Sequence, residues 1–425
     1  MTFEIPIGAP SGTGRRWAAP SDTELTATGK FAVWASIVSM LFLTQIALNI
    51  GEFPVSSDLI CYAFFTLYLL VSGYVSPSIP SLLLFLVAAA LAFFRMLLID
   101  SATVSWSSLL LLVALYAPFS FRLKERQGLQ AVQKYVQYAF VTAATIIALV
   151  GVAQIILVNA GVTILTNIHF VLPQAIRSAG VYQYSREGEG IVKANGFFLR
   201  EPSSLSIVAA LAIMIEYYTR RRLRILVILT AGLVCAFSGS GLLALVAGFL
   251  LPRSIGRIPL FFGAALGLIL ILFVIYTMQI PGLDIWFDRL SEFTTPNTSG
   301  YARFVAPVEM VQHSFDDGAF STWLGKGAGS YFRETNLLHV KYEVNDPTWA
   351  KLIYEYGLCG FALISSILVI RLYSSRLRVE TCNYFLFIWM ISGVVLKPDF
   401  TLLNWLLTLI PKPQHQANTK TRNFR

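Results

Sequence analysis

Eleven apolar runs, most of them near the length of a bilayer-crossing helix, succeed one another along the chain. They occupy residues 31–50, 59–75, 79–99, 104–119, 135–158, 202–217, 225–251, 258–280, 349–370, 381–396 and 400–410. A helix that crosses the hydrocarbon core needs about 20 apolar residues, and in that core a helix satisfies all its own backbone groups. The runs therefore predict an all-α, polytopic membrane protein. Composition agrees: 56% of residues are hydrophobic and 13% charged, where ordinary globular chains carry about 25% charged residues. A water-soluble fold, a disordered chain, collagen and a secreted disulfide scaffold are all excluded.

The run at 225–251 is interrupted by Ser238-Gly239-Ser240-Gly241, and this break decides the topology. Two short spans there, with a cytoplasmic N-terminus, put three groups of basic residues inside: Arg15/Arg16/Lys30, Arg122/Lys124/Arg126/Lys134 and Arg220/Arg221/Arg222/Arg224. Arg253/Arg257, Arg371/Arg376/Arg378 and Lys412/Lys420/Arg422/Arg425 fall inside as well, so most of the 32 lysines and arginines share one side. A single span would send the Arg371 cluster outside. The expectation is about twelve transmembrane helices with both termini cytoplasmic. The net charge of +9 then reflects the positive-inside bias and does not imply a nucleic-acid partner. Residues 1–30 read as a disordered cytoplasmic tail with no cleavable signal, 31–410 as the polytopic domain, and 411–425 as a cytoplasmic tail. Two long polar segments, 159–201 and 281–345, face outward and are too long to be mere connectors. Cys61, Cys235, Cys359 and Cys382 show no paired spacing, so no zinc site or disulfide framework is signalled.

The chemistry has to come from few residues. No phosphate-binding loop, nucleophile elbow, zinc-protease motif or dinucleotide fingerprint occurs, and Asp316-Asp317 lacks the spacing of a sugar-nucleotide clamp. No metal or cofactor is expected, and a donor already activated in the membrane is. The string from Lys193 through Asn195-Gly196 to Arg200-Glu201-Pro202-Ser203-Ser204 closes the first outer loop and opens a span. It reads either as a simple helix cap or as a site, since ionisable groups at a membrane boundary are costly. The second outer loop is acidic overall and offers Arg289, Arg303, Arg333, His339 and, at its end, Asp346. Its Gly325-Lys326-Gly327-Ala328-Gly329-Ser330 stretch is either a flexible turn or a cradle of N–H groups for phosphate. Arginine forks suit pyrophosphate, which nominates Arg200, Arg303 and Arg289. Arg95 is a further candidate or a snorkelling side chain.

These strings resemble the Wzy/WaaL superfamily of bacterial polysaccharide polymerases and O-antigen ligases across roughly residues 31–410. The specific matches are Asn195-Gly196 with Glu201-Pro202-Ser203, the Ser238–Gly241 turn, and the stretch from Arg303 through Leu324–Ser330 to Asp346, Glu355, Gly357 and Gly360. The Glu-Pro-Ser version looks more like the polymerase branch. Where members usually place a His-Asn pair, this chain has Asp346-Pro347, so His339 or Asp346 is left to fill that role.

The resemblance implies a GT-C-like fold in the bacterial inner membrane and glycosyl transfer at its periplasmic face. A glycan would leave undecaprenyl pyrophosphate and join the next lipid-linked repeat. The implied base is Glu201, Asp346 or His339, and the implied substrate-binding residues are Arg200, Arg303, Arg289, Arg95, Lys193 and Arg333. The implied partners are the undecaprenyl-pyrophosphate-linked donor and acceptor, the bilayer, a chain-length regulator and export machinery. Two alternatives stand beside the polymerase: a ligase moving the finished glycan to lipid A-core or protein, and a non-enzymatic transporter or flippase. A transporter should show inverted repeats and midplane polar residues, whereas no inverted repeat is evident here and the polar residues cluster at the outer boundary.

Overall fold

The computed structural model describes residues 27–50, 53–99, 103–124, 128–162, 166–178, 193–277, 295–296, 298–335 and 344–413. Among these residues a helix falls on every apolar run, and two fall on the interrupted one. They are α1 (Ala27–Phe42), α2 (Ser57–Val71), α3 (Ile79–Leu98), α4 (Trp106–Tyr116), α5 (Leu129–Asn159), α6 (Pro202–Thr219), α7 (Leu223–Cys235), α8 (Gly239–Leu250) and α9 (Ile258–Thr277). Four shorter helices follow in the second loop: α10 (Ser299–Phe304), α11 (Ala306–Asp316), α12 (Ala319–Leu324) and α13 (Ser330–Glu334). The chain returns to apolar helices with α14 (Thr348–Tyr373), α15 (Val379–Ile391) and α16 (Pro398–Thr408). Helices α3, α5, α6 and α14 are each long and apolar enough to cross a membrane. The protein is a mostly helical, multi-pass membrane protein.

The Gly/Ser interruption does separate two helices, α7 ending at Cys235 and α8 starting at Gly239. Other boundaries differ from the apolar runs. The first helix begins before residue 31 and ends at Phe42; beyond it, β1 (Ala47–Ile50) pairs antiparallel with β2 (Phe53–Ser56). Polar side chains explain the early stop. Thr44 and Gln45 leave the helix to bind another segment, with Gln45 Nε2 donating to the carbonyls of Phe198 and Leu199, each at 2.9 Å. Likewise α4 gives way to a 3₁₀ turn over Ala117–Ser120 that contains Pro118. Beyond that turn, β4 (Phe121–Leu123) pairs with β3 (Val75–Pro77).

The core is built on small residues. Ala139, Ala143, Ala144 and Ala148 of α5 and Ala209, Ala210 and Ala212 of α6 are fully buried. A Cβ at Gly232 of α7 would lie 2.6 Å from that of Ala148. With lipid outside and no water to expel, close backbone approach is what drives helices together.

Helix α14 is broken. Gly357 has φ 67° and ψ −177° inside it, a conformation only glycine adopts without strain. The carbonyls freed by the break are taken by the second loop: Lys326 N–H donates to Tyr354 O at 2.8 Å and Gly327 N–H to Glu355 O at 2.9 Å. Approach is so close that a Cβ on Gly325 would collide with the Glu355 backbone, and one on Gly357 with that of Trp323.

Candidate active site

At the loop-bearing end of α6, α8, α14 and α16 lies a cavity of about 970 Å³. Glu201, Arg303, Arg333 and Asp346, from four separate stretches of chain, all line it. Lys351, Lys397 and Asp399 line it too, giving four cations against three carboxylates. Deeper along the same helices the lining turns apolar, with Ile207 and Val208 of α6, Leu243 of α8 and Leu403 of α16. Charge therefore sits above a greasy floor.

Glu201 is placed by a buried polar frame. Gln154 on α5 donates to Asn195 Oδ1 at 2.9 Å and accepts from the N–H groups of Asn195 and Gly196, both at 3.1 Å. Gly196 has φ 68°, and a Cβ there would lie 2.5 Å from the Ile147 side chain. This turn delivers Glu201 to the start of α6, where Pro202 occupies the first helical position and the positive helix end faces a carboxylate. Ser203 Oγ donates to Glu201 Oε2 at 2.8 Å. One turn on, Ser206 Oγ accepts from Gly241 N–H at 3.0 Å and donates to Ser238 O at 2.9 Å, pinning the Gly/Ser turn against α6.

On the opposite wall Asp346 precedes α14. Its Oδ2 lies 3.3 Å from Lys351 Nζ. A Cβ at Gly393 would run into the Asp346 carboxylate, so that glycine makes room for it. Lys351 is buried, with its ammonium 4.2 Å from the centre of the Phe332 ring, and the buried Glu355 follows it by one helical turn. The helix α13 beside it is fixed by Tyr331, fully buried, whose hydroxyl donates to Asn345 O at 2.9 Å. Burial, with the nearby charges of Asp346 and Glu355, pushes the Tyr331 phenol well above its ordinary range, so it stays a donor. Arg333 Nη1 donates back to Gly329 O at 2.9 Å. Neither Arg303 nor Arg333 has an ion-pair partner among the described residues.

Three sequence candidates stand elsewhere. Arg200 does not line the cavity; its Nη2 donates to Thr44 O at 2.9 Å. Arg95 Nε donates to Gly325 O at 2.6 Å, with its guanidinium 5.0 Å from the Phe320 ring centre, and so fastens the glycine-rich stretch to α3. Lys193, half-buried ahead of Asn195, is not among the lining residues. His339 and Arg289 lie outside the described residues. As a phosphate cradle the glycine-rich stretch fails at two of its N–H groups, which serve the broken α14. Its Lys326 is held by Asp317 at 2.5 Å and Glu334 at 3.0 Å.

Lys351, Lys397 and Asp399 were not legible as site residues. The signal for Lys351 was a lysine one turn into an apolar helix, an expensive placement by itself. Among the described residues no group of three or more His, Cys, Asp or Glu side chains is arranged to hold a metal ion.

The arrangement has the ingredients for moving a group between lipid-borne substrates: cations for a departing anion, carboxylates for a proton, and an apolar floor. A search of curated proteins finds no match for the chain. A family model does match, that of the WcaD colanic acid polymerases, over residues 34–413. Spanning nearly all the helices and every lining residue of the cavity, that match shows that the chain belongs to the WcaD colanic acid polymerase family.

Proposed function

We propose that this polysaccharide polymerase joins oligosaccharide repeats carried on undecaprenyl pyrophosphate, at the periplasmic face of the inner membrane. The observation that carries the reading is the cavity's layering, with Arg303, Arg333, Lys351 and Lys397 above an apolar floor. A lipid pyrophosphate glycan has that same order: isoprenoid chain, anion, sugar. In this reading all twelve apolar helices span the bilayer, both termini are cytoplasmic, and the loops that shape the cavity are periplasmic. The match to a polymerase family does not favour the ligase or transporter alternatives.

The step is a displacement at the anomeric carbon of the donor sugar. The acceptor hydroxyl oxygen forms the new glycosidic bond, and the bond from that carbon to the pyrophosphate oxygen breaks with its electron pair leaving on the pyrophosphate. Cations positioned before the reaction stabilise that developing charge without reorganising. Arg303 and Arg333 supply forks, and Lys351 supplies a point charge. The hydroxyl proton goes to Glu201, which faces the cavity with a hydrogen bond from Ser203, whereas Asp346 is occupied by Lys351. Holding both glycans in register supplies much of the remaining acceleration.

The test uses purified protein in liposomes with undecaprenyl-pyrophosphate-linked repeats, EDTA and no sugar nucleotide. A ladder of multimers is expected on a gel or by mass spectrometry, and Glu201→Gln should abolish it. Multimers that form only after a sugar nucleotide is added would overturn the reading.

A further inference from the structure

At the end of α14 remote from the cavity, two arginines lie together without a carboxylate. Arg371, near the C-terminus of that helix, is 1% exposed. Its Nε donates to Thr408 Oγ1 at 3.3 Å and its Nη1 to the Phe121 carbonyl. The third nitrogen, Nη2, is buried and meets no acceptor among the described residues. Arg122 follows Phe121 on β4, close enough for the two like charges to repel, and its Nε is buried without an acceptor as well. Among the described residues neither arginine is ion-paired. Basic residues at a cytoplasmic membrane edge are ordinary where water surrounds them. An enclosed guanidinium beside a second one is not, because a buried charge is costly unless it is paired.

The surface beside the pair is apolar. A groove of about 230 Å³ runs between α2 and α4, lined from Leu59 to Leu70 on α2, by Ala114 on α4, and by Pro118 and Phe121 beyond it. At a helical rise of about 1.5 Å per residue, its α2 wall is about 16 Å long. One leaflet of a hydrocarbon core about 30 Å thick takes much the same length of acyl chain. Leu67 and Leu70 are exposed along the groove, so it opens toward lipid. Phe121 joins the two features: it lines the groove, its carbonyl accepts from Arg371, and Arg122 is the next residue. Lys124, exposed just beyond β4, adds a third cation.

We infer that Arg122 and Arg371 hold the phosphate of an anionic phospholipid, one acyl chain of which lies along the groove between α2 and α4. On the topology proposed above, that lipid belongs to the cytoplasmic leaflet. Arginine forks suit phosphate oxygens, and basic pockets between membrane helices on the cytoplasmic side bind anionic head groups. The phosphate meets Arg122, the more accessible of the two, and Arg371 beneath it adds its charge. Charge and shape select the occupant together. A free inorganic anion answers the arginines and leaves the groove unused. A zwitterionic lipid fills the groove and brings its own ammonium to two guanidiniums.

The experiment titrates the purified full chain, in a neutral detergent, with phosphatidylglycerol, phosphatidylcholine or inorganic phosphate. Melting temperature is one readout, and lipid retained in native mass spectrometry is the other. Phosphatidylglycerol at about a hundred times its dissociation constant should raise the melting temperature by about 3 °C or more. One phosphatidylglycerol should stay bound, and neither phosphatidylcholine nor phosphate should give the shift. Arg122→Gln removes the phosphate partner and Ala114→Trp fills the groove, and each should abolish both signals. Neither position is buried, so these variants keep the fold where Arg371→Gln would test folding instead. A shift of equal size with phosphatidylcholine or with phosphate alone would overturn the lipid site. So would a shift that survives either substitution, or wild type that retains no phosphatidylglycerol. None of these readouts measures polymerisation, so the result stands apart from the polymerase reading.

Discussion

Lys351 and Asp346 meet across the mouth of α14, with Nζ 3.3 Å from Oδ2 and the lysine side chain 5% exposed. A lysine this enclosed is held by what faces it: the carboxylate on one side, the Phe332 ring on another, and Glu355 one turn below. Lys351→Met should lower the polymerisation rate by about 100-fold or more, the scale of losing one preorganised charge contact to a leaving group. It should also destabilise the fold, because the partly exposed Asp346 and the buried Glu355 lose the cation that faces them. The double variant Lys351→Met/Asp346→Asn should regain thermal stability in detergent without regaining activity. Recovery of polymer in the double variant would remove Lys351 from the site.

Arg303 and Arg200 should separate sharply. Arg303→Ala is expected to abolish polymer in cells that hold a normal amount of the protein, and Arg303→Lys should rescue it only in part. Arg200→Ala strips a charged donor from the Thr44 carbonyl, a loss worth about 1.5–3 kcal/mol. Its effect should therefore appear as lower protein level and melting temperature. Immunoblots beside polymer gels distinguish the two, and equal phenotypes at equal protein levels would contradict the different placements.

Gly393 and Gly357 make a second contrasting pair. A methyl at Gly393 presses on the Asp346 carboxylate, so Gly393→Ala should reduce turnover more than it reduces protein level. Gly357→Ala forces a positive φ and a clash with the Trp323 backbone, a combination costing more than about 1 kcal/mol. Its expected result is poor accumulation of the protein. Measuring turnover per mole of folded protein tests both.

Topology is checked with fusions. A reporter that works only outside the cytoplasm should be active after Gly300 or Gly188 and silent after Arg222 or Arg376. Activity reversed at Gly300 would place the cavity on the cytoplasmic side.

The bilayer made the helices easy to read, because every apolar run had to satisfy its own backbone. It also made boundaries hard, since Thr44 and Gln45 sit inside an apolar run yet serve the Phe198 and Leu199 carbonyls. Glu201 was nominated by charge at a membrane edge, Arg303 by the fit of an arginine fork to pyrophosphate, and Arg333 and Asp346 as second-loop residues that the resemblance implied; all four line the cavity. Placement at a membrane edge also nominated Arg95 and Arg200, whose guanidiniums bind backbone carbonyls. Charge at an edge marks both uses, and only the third dimension separates them. Lys397 and Asp399 escaped notice because they stand in a short turn between two apolar runs, where no motif draws attention to them.

The break at Gly357 divides α14 into two struts with separate anchorages. The lower strut is tied by Arg371 to the Phe121 carbonyl and to Thr408. The upper one, bearing Lys351, is clamped by the backbone of Lys326 and Gly327, and through Gly325 and Arg95 to α3. The two struts therefore have separate directions, and the spacing between Lys351 and the groups across from it is set by the loop that grips the upper one.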